Sequence, residues 1–201
     1  MKKHILTFVA ILGAIVLFDS CKKGENDPFL SLRSRKARVA GEWKLTSGEM
    51  NITSDDGTSS MTADGSTRTY TDNSGFSSSE VFTLVYTFEK DGTFKSTEVS
   101  GTGSSATTVV REGTWNFTAG VGKEVKRKEQ IVLITLTKTT TTSSSSSTVT
   151  YTGGDAPTDY WMLDELRNKK MVALLDGTST IIKPTMLADN YTTTGNLTFE
   201  Q

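Results

Sequence analysis

The strongest constraint in this chain is a two-residue alternation of large apolar side chains. Glu80 to Lys90 reads EVFTLVYTFEK, with Phe82, Leu84, Tyr86 and Phe88 at every second position. In an extended strand successive side chains leave on opposite faces, so this run buries one face and wets the other. Ala106 to Thr118 (ATTVVREGTWNFT) repeats the pattern, placing Val109, Arg111, Gly113, Trp115 and Phe117 on one face. Ile131 to Thr137 (IVLITLT) is β-branched and reads as a largely buried strand. Asp91-Gly92 joins the first run to Thr93–Val99, and both residues tolerate the positive φ a tight hairpin needs.

Other segments fit the same reading. Glu42 to Ile52 opens the first strand. Tyr160 to Arg167 (YWMLDELR) and Met171 to Leu175 (MVALL) flank Asn168, Lys169 and Lys170 as a hairpin, although Leu, Met, Glu and Lys also favour helix there. Asn196 to Gln201 closes the chain as a short strand. Residues 53–79 are rich in Ser, Thr, Gly and Asp and predict a long loop or an irregular edge hairpin, with strand at Arg68–Thr71. Lys123 to Glu129 predicts a charged turn. Thr139 to Thr148 is low-complexity and predicts a loop or a frayed strand end. The count is eight or nine strands with no long helix between them. The fold class is therefore all-β, an antiparallel up-and-down meander closing into a barrel of about eight strands, which removes exposed edges.

Ahead of the strands stands an address. Lys2 and Lys3 precede the uncharged run Ile5–Phe18 (ILTFVAILGAIVLF), which is too short to span a bilayer comfortably. Asp19-Ser20-Cys21 follows at once. An apolar core ending in a small residue and then Cys resembles a bacterial lipoprotein signal. That resemblance implies cleavage after Ser20 and acylation (palmitate among the chains) of Cys21. The other readings are a plain secretory signal with a leftover Cys, and an uncleaved anchor. The organisation expected is a signal peptide over 1–20, a lipidated Cys and polar tether over 21–28, and a barrel domain over 29–201. Asp27-Pro28 predicts the start of a short N-terminal helix, with Asp as N-cap and Pro at the first turn. No Asp follows Cys21, which favours the outer membrane of a bacterial envelope over inner-membrane retention. Arg33, Arg35, Lys36 and Arg38 form a basic cluster near the anchor. It reads as a solvated helix face, with attraction to anionic headgroups as the alternative.

Composition narrows the chemistry. The formal charge is -1, and Ser plus Thr exceed a quarter of the chain. Such a balance gives no reason to expect nucleic acid. The only His is His4 and the only Cys is Cys21, so a mature chain starting at Cys21 has no His. That removes Ser-His-Asp and Cys-His catalysis and the ordinary zinc, haem and iron–sulfur sites. No catalytic residue, metal or cofactor is assigned. Asp55-Asp56-Gly57, Asp64-Gly65 and Asp72-Asn73-Ser74-Gly75 read as turns and not as calcium loops.

Gly41-Glu42-Trp43 has the G-x-W pattern that opens the first strand of lipocalins. With the PFLSLRSRKARVAGEWKL entry, the YTFEKDGTF hairpin, the EGTWNF strand, the LRNKKMVALLDG hairpin and the closing LTFEQ, residues 28–201 resemble the lipocalin-like lipoproteins of Gram-negative bacteria. The resemblance implies a calycin-like barrel, with Arg167 as candidate for the basic residue that packs on the first Trp.

Two functions follow as expectations. One is a membrane-tethered binding or carrier module for a small hydrophobic ligand, lined by Trp43, Phe82, Tyr86, Phe88, Arg111 and Trp115. The other is a structural or interaction lipoprotein in which those aromatics fill the barrel and the Ser/Thr-rich loops bind another envelope component. Arg111, on an inward face, needs a carboxylate: a fatty-acid-like ligand, or Glu98 or Glu165. A position at the barrel rim is the alternative.

Overall fold

The computed structural model describes residues 33–54, 57–118, 130–179 and 191–201. The leader, Cys21, the tether, the helix start expected at Asp27-Pro28 and the charged turn expected over Lys123–Glu129 lie outside these. One short helix, α1 (Arg35–Val39), precedes eleven antiparallel strands: β1 (Gly41–Ser54), β2 (Gly57–Ala63), β3 (Thr67–Thr71), β4 (Ser77–Phe88), β5 (Thr93–Ser100), β6 (Thr107–Phe117), β7 (Gln130–Thr141), β8 (Ser146–Thr150), β9 (Thr158–Leu166), β10 (Lys170–Ser179) and β11 (Tyr191–Glu200).

The sheet closes on itself. Pairing runs from β1 through β2, β3, β4, β5, β6, β7, β9 and β10 to β11, which returns to β1, so ten strands form the ring. The meander expected from alternation is there, with two more strands in the ring than the eight expected. Both come from residues 53–79, where a long loop or irregular edge hairpin with strand at Arg68–Thr71 was expected; β3 covers that strand. β2 and β3 are regular strands, with Met50 opposite Met61 and Met61 opposite Tyr70. β1 meets β4 directly over Gly41–Lys44, then turns away and pairs with β2 instead from Gly48 onward. The change accompanies a register shift between Leu45 and Ser47. The barrel therefore has eight strands around one end and ten around the other.

β8 and β9 follow one another along β7. Thr137 faces Thr150, and Ile134 faces Thr158, with the excursion Tyr151–Pro157 between them. The Thr139–Thr148 tract is thus a paired hairpin and not a loop. Its strands are tied by hydroxyl pairs, Thr139 to Thr148 at 2.9 Å and Thr141 to Ser146 at 3.1 Å. The YWMLDELRNKKMVALL segment is the expected hairpin, β9–β10.

The core sits at the eight-stranded end. Trp43, Leu45, Phe88, Ile131, Leu133, Leu166, Met171, Ala173 and Phe199 are all at most 1% exposed. α1 packs over this end, capped by the Ser34 hydroxyl, which accepts from the Ala37 N–H at 3.2 Å. Only half of the basic cluster is a solvated face, Arg33 and Lys36. Arg35 and Arg38 are each 3% exposed. Arg35 donates to the Leu163 carbonyl at 3.2 Å, and Arg38 donates to that of Leu166. Carbonyls of β9 near its β-bulge at the β10 pairing take both guanidiniums, so helix and barrel are fastened together.

Candidate functional site

Five of the residues singled out from sequence meet in one cluster. Trp43, Phe82, Tyr86, Phe88 and Trp115 are all buried. They pack on one another and on Phe94, Trp161 and Phe199, which sequence reasoning did not single out. Tyr86 stacks on Phe88 with ring centroids 5.7 Å apart and meets Trp161 edge-on at 4.9 Å. Phe88 meets Trp115 edge-on at 5.5 Å, and Trp161 stacks on Phe199 at 5.5 Å. The indole N–H groups of Trp43 and Trp115 are satisfied, Trp43 by the Val39 carbonyl at 2.7 Å and Trp115 by that of Glu89 at 3.0 Å. These rings form a filled floor across the narrow end. The signal for Trp161 was present in Tyr160–Arg167, where Trp161 and Leu163 alternate inward.

Arg167 does not pack on Trp43. It pairs with Glu165, which also takes the Lys170 Nζ at 2.7 Å. Glu165 is therefore engaged at the closed end and is not the partner of Arg111.

Above the floor the inward side chains change character. Tyr86 faces Ser96 across β4–β5, and Ser96 faces Arg111 across β5–β6. Gly113 faces Thr135 across β6–β7, and Leu133 faces Asp159 across β7–β9. Opposed residues share a face, so Tyr86, Ser96, Arg111, Thr135 and Asp159 project inward from five neighbouring strands.

The charges are linked. Arg111 donates to Glu98 Oε2 at 3.3 Å, while Arg68 reaches Glu98 Oε1 at 3.1 Å and Glu80 Oε1 at 2.5 Å. The Arg68 guanidinium also lies 4.4 Å from the centroid of Phe82, a cation–π contact at the edge of the floor. Of the partners expected for Arg111, Glu98 is the one present. The side chain stands inside the barrel, 30% exposed. Lys138 faces it in register from β7.

The Ser96 hydroxyl is wholly buried beside the Tyr86 phenol, which faces it across β4–β5. Among the described residues, none gives Asp159 a hydrogen bond or an ion pair. Burial pushes its pKa above the ordinary carboxylate value, against the opposing pull of Arg111. Burial first, and then the Asp159 carboxylate, push the Tyr86 phenol above its usual range.

The opposite wall is apolar. Met50 and Ile52 of β1 alternate with exposed neighbours and share their face with Met61 of β2. The upper barrel is therefore a cup with a charged wall on β3–β6 and β9, a methionine wall on β1–β2, and aromatic rings beneath. A separate groove of about 470 Å³ lies on the outer surface beside Thr87, Lys95, Glu112 and Leu136. No group of three or more His, Cys, Asp or Glu is placed to hold a metal among the described residues. Asp64 and Asp72 instead accept backbone N–H groups of their own turns, as read from sequence. Comparison with protein-family models, curated proteins and solved structures found no match.

Proposed function

We propose that this protein is a lipid-anchored, lipocalin-like binding module of the bacterial outer membrane, and that its ligand is a small amphipathic molecule held in the cup above the aromatic floor. The observation that carries this reading is the convergence of Tyr86, Ser96, Arg111, Thr135 and Asp159 from five strands, opposite the apolar wall of Met50, Ile52 and Met61. A wall of mixed character recognises a molecule of mixed character, whose apolar part rests on the rings and whose polar part meets the charged layer. The flexible thioethers of Met50 and Met61 adapt to shape. The small hydrophobic ligand expected from sequence becomes an amphipathic one, because the floor rings are in contact with each other and the side chains above them are polar.

The interaction-protein reading keeps one specific support. All five residues of β8 are exposed, and that strand borders the Ser/Thr-rich rim. The test between the two is native mass spectrometry of the protein purified in detergent from its own envelope. A retained small molecule supports binding, and an empty barrel that co-purifies with a stoichiometric envelope protein supports the alternative. Anchoring is tested separately: Cys21→Ser should abolish incorporation of labelled palmitate and release the protein from membranes.

A further inference from the structure

The outside of the barrel has two unlike faces. On one, large apolar side chains gather. Tyr160 of β9, Leu136 of β7 and Leu174 of β10 are 53%, 41% and 37% exposed. Val132 faces Tyr160 across β7–β9, and Met162 faces Leu174 across β9–β10, so these side chains share the outward face. Ile134 stands two residues from Val132 on the same strand and face. Five places around the ring from β9 runs β3, at the middle of the opposite wall. The outward residues there are hydroxyls, Thr69 on Ser79 and Thr71 on Ser77, both at 2.8 Å.

Area, chain path and charge together say what covers the apolar face. Strands β7, β9 and β10 lie about 4.8 Å apart and Val132 to Leu136 runs about 13 Å, which gives roughly 300 Å² with side-chain margins. A stable dimer needs about 800 Å² from each partner, so a second copy is a poor match. The chain also enters the fold here. Arg35 and Arg38 of α1 donate to the carbonyls of Leu163 and Leu166 on β9, the central strand of the patch. Cys21 stands twelve positions before Arg33. Such a stretch reaches about 40 Å at most, so an acyl group on Cys21 keeps the β9 side of the barrel close to lipid. At the end of the patch nearest this entry, Arg33, Lys36, Arg167, Lys169 and Lys170 outnumber Asp164, Glu165 and Glu200. Lipid phosphates attract such a fringe. A half-exposed tyrosine such as Tyr160 suits the headgroup level.

We propose that the β7–β9–β10 wall rests on a phospholipid surface, so that the barrel lies on its side at the membrane with its hydroxyl wall turned away. This rests on the anchored reading and names the face that the anchor brings to the bilayer. The test places one nitroxide label on the full acylated chain in vesicles of phosphatidylethanolamine and phosphatidylglycerol. Cys21 is the only Cys and acylation consumes its sulfur, so Tyr160→Cys, Leu174→Cys and Ser79→Cys each offer one free thiol. At positions 160 and 174, collisions with dissolved oxygen should exceed those with a water-soluble nickel chelate several-fold, and at 79 the order should reverse. Water access at all three positions overturns the proposal, as does lipid access at 79 equal to that at 160. Protection from both reagents at 160 and 174 overturns it in favour of a cover formed by the chain itself. Dipolar broadening between labels overturns it in favour of a second copy. A parent chain whose Cys21 takes the label fails the anchored reading, and the proposal falls with it. If a labelled variant does not fold, a photoactivatable phospholipid on the unaltered chain decides. Adducts on residues 132–136 and 160–174 support the wall, and adducts found only elsewhere overturn it.

Discussion

Glu98→Gln tests whether the charged layer is a built structural unit. Glutamine keeps the length and shape of the side chain but cannot neutralise two guanidiniums. Glu98 is 19% exposed, and its partners Arg68 and Arg111 are 23% and 30% exposed. At 3.1 and 3.3 Å the gross attraction of each pair is about 5 kcal/mol with an effective dielectric near 20. Desolvation returns most of this. Exposed pairs net about 0–1 kcal/mol, and breaking a buried one costs about 3–5. The partial exposure places the loss for Glu98→Gln near 2 kcal/mol, shared between the two arginines. Urea unfolding followed by tryptophan fluorescence reads it as a shift in midpoint at unchanged slope. In an Arg111→Met background one of the two pairs is already gone, so the same substitution should cost about half as much. Enclosure also makes the effect weakly salt-dependent. A loss below about 0.5 kcal/mol, or one that is unchanged in the Arg111→Met background, would refute the assignment of Glu98 as the shared partner.

Three further outcomes follow from the same structure. At Gly113 a Cβ would lie 2.0 Å from the Ile134 carbonyl oxygen, a backbone atom that cannot swing aside, so Gly113→Ala should cost about 3 kcal/mol or more by urea titration, and a cost under about 1 would mean the β6–β7 bulge opens freely. Trp43→Phe removes the N–H that satisfies the buried Val39 carbonyl and should cost about 1–3 kcal/mol by the same titration, with a null result showing that another donor replaces it. The pH profile should have two opposed arms. Asp159 holds its proton more firmly folded than unfolded, so its contribution to stability falls as pH rises from about 4 through the raised folded value, and Asp159→Asn should flatten this arm. Asp64, Asp72 and Asp91 are held below 3.8, by the Ser66 amide, the Ser74 hydroxyl and the Thr93 amide first, respectively. Their stabilisation is present above about pH 4 and is lost as pH falls through the lower folded values. Amide exchange at Thr67, Phe76 and Thr93 should accelerate over that acid range, and flat exchange there would remove these carboxylates from the turns.

Strands with an apolar face were readable because burial writes itself as alternation. Phe82, Leu84, Tyr86 and Phe88 fixed β4. Asp91-Gly92 fixed its turn, where Asp91 accepts the Thr93 N–H at 2.8 Å and Gly92 has φ 100°. β2 and β8 were illegible, and β3 legible only as the short stretch Arg68–Thr71, for the complementary reason: they have little to bury. Their order comes from the backbone ladder and from facing hydroxyls, Thr69 on Ser79 and Thr71 on Ser77, both at 2.8 Å. A Thr/Ser tract looks the same to composition whether or not it is paired. The need of Arg111 for a carboxylate was legible, but the choice between Glu98 and Glu165 depended on register. β5 sets Glu98 opposite Val109, one step diagonally from Arg111. Asp159 was overlooked although counting back from Leu163 and Trp161 puts it on the inward face. The burial of Arg35 and Arg38 had no local signal at all, since the carbonyls they serve are 128 residues away.

The split in strand number connects the fold to the site. Barrel width grows with the number of strands, and eight is about the count that side chains can still fill. At the end where β1 pairs with β4 the ring has eight strands, and the aromatic side chains close it completely. Past Leu45 the register of β1 shifts and β2–β3 widens the ring to ten. The inward residues there include Met50, Ile52, Met61 and the charged groups in place of the packed floor rings. Arg68, Glu98, Arg111 and Asp159 stand at the boundary, where side chains are only partly exposed and electrostatics are stronger than at the surface. A single insertion, β2–β3, therefore turns a solid barrel into a cup with a floor. Moving the polar layer one residue pair lower would bury unpaired charge among the rings. One pair higher, it would be screened by solvent and lose its power to discriminate.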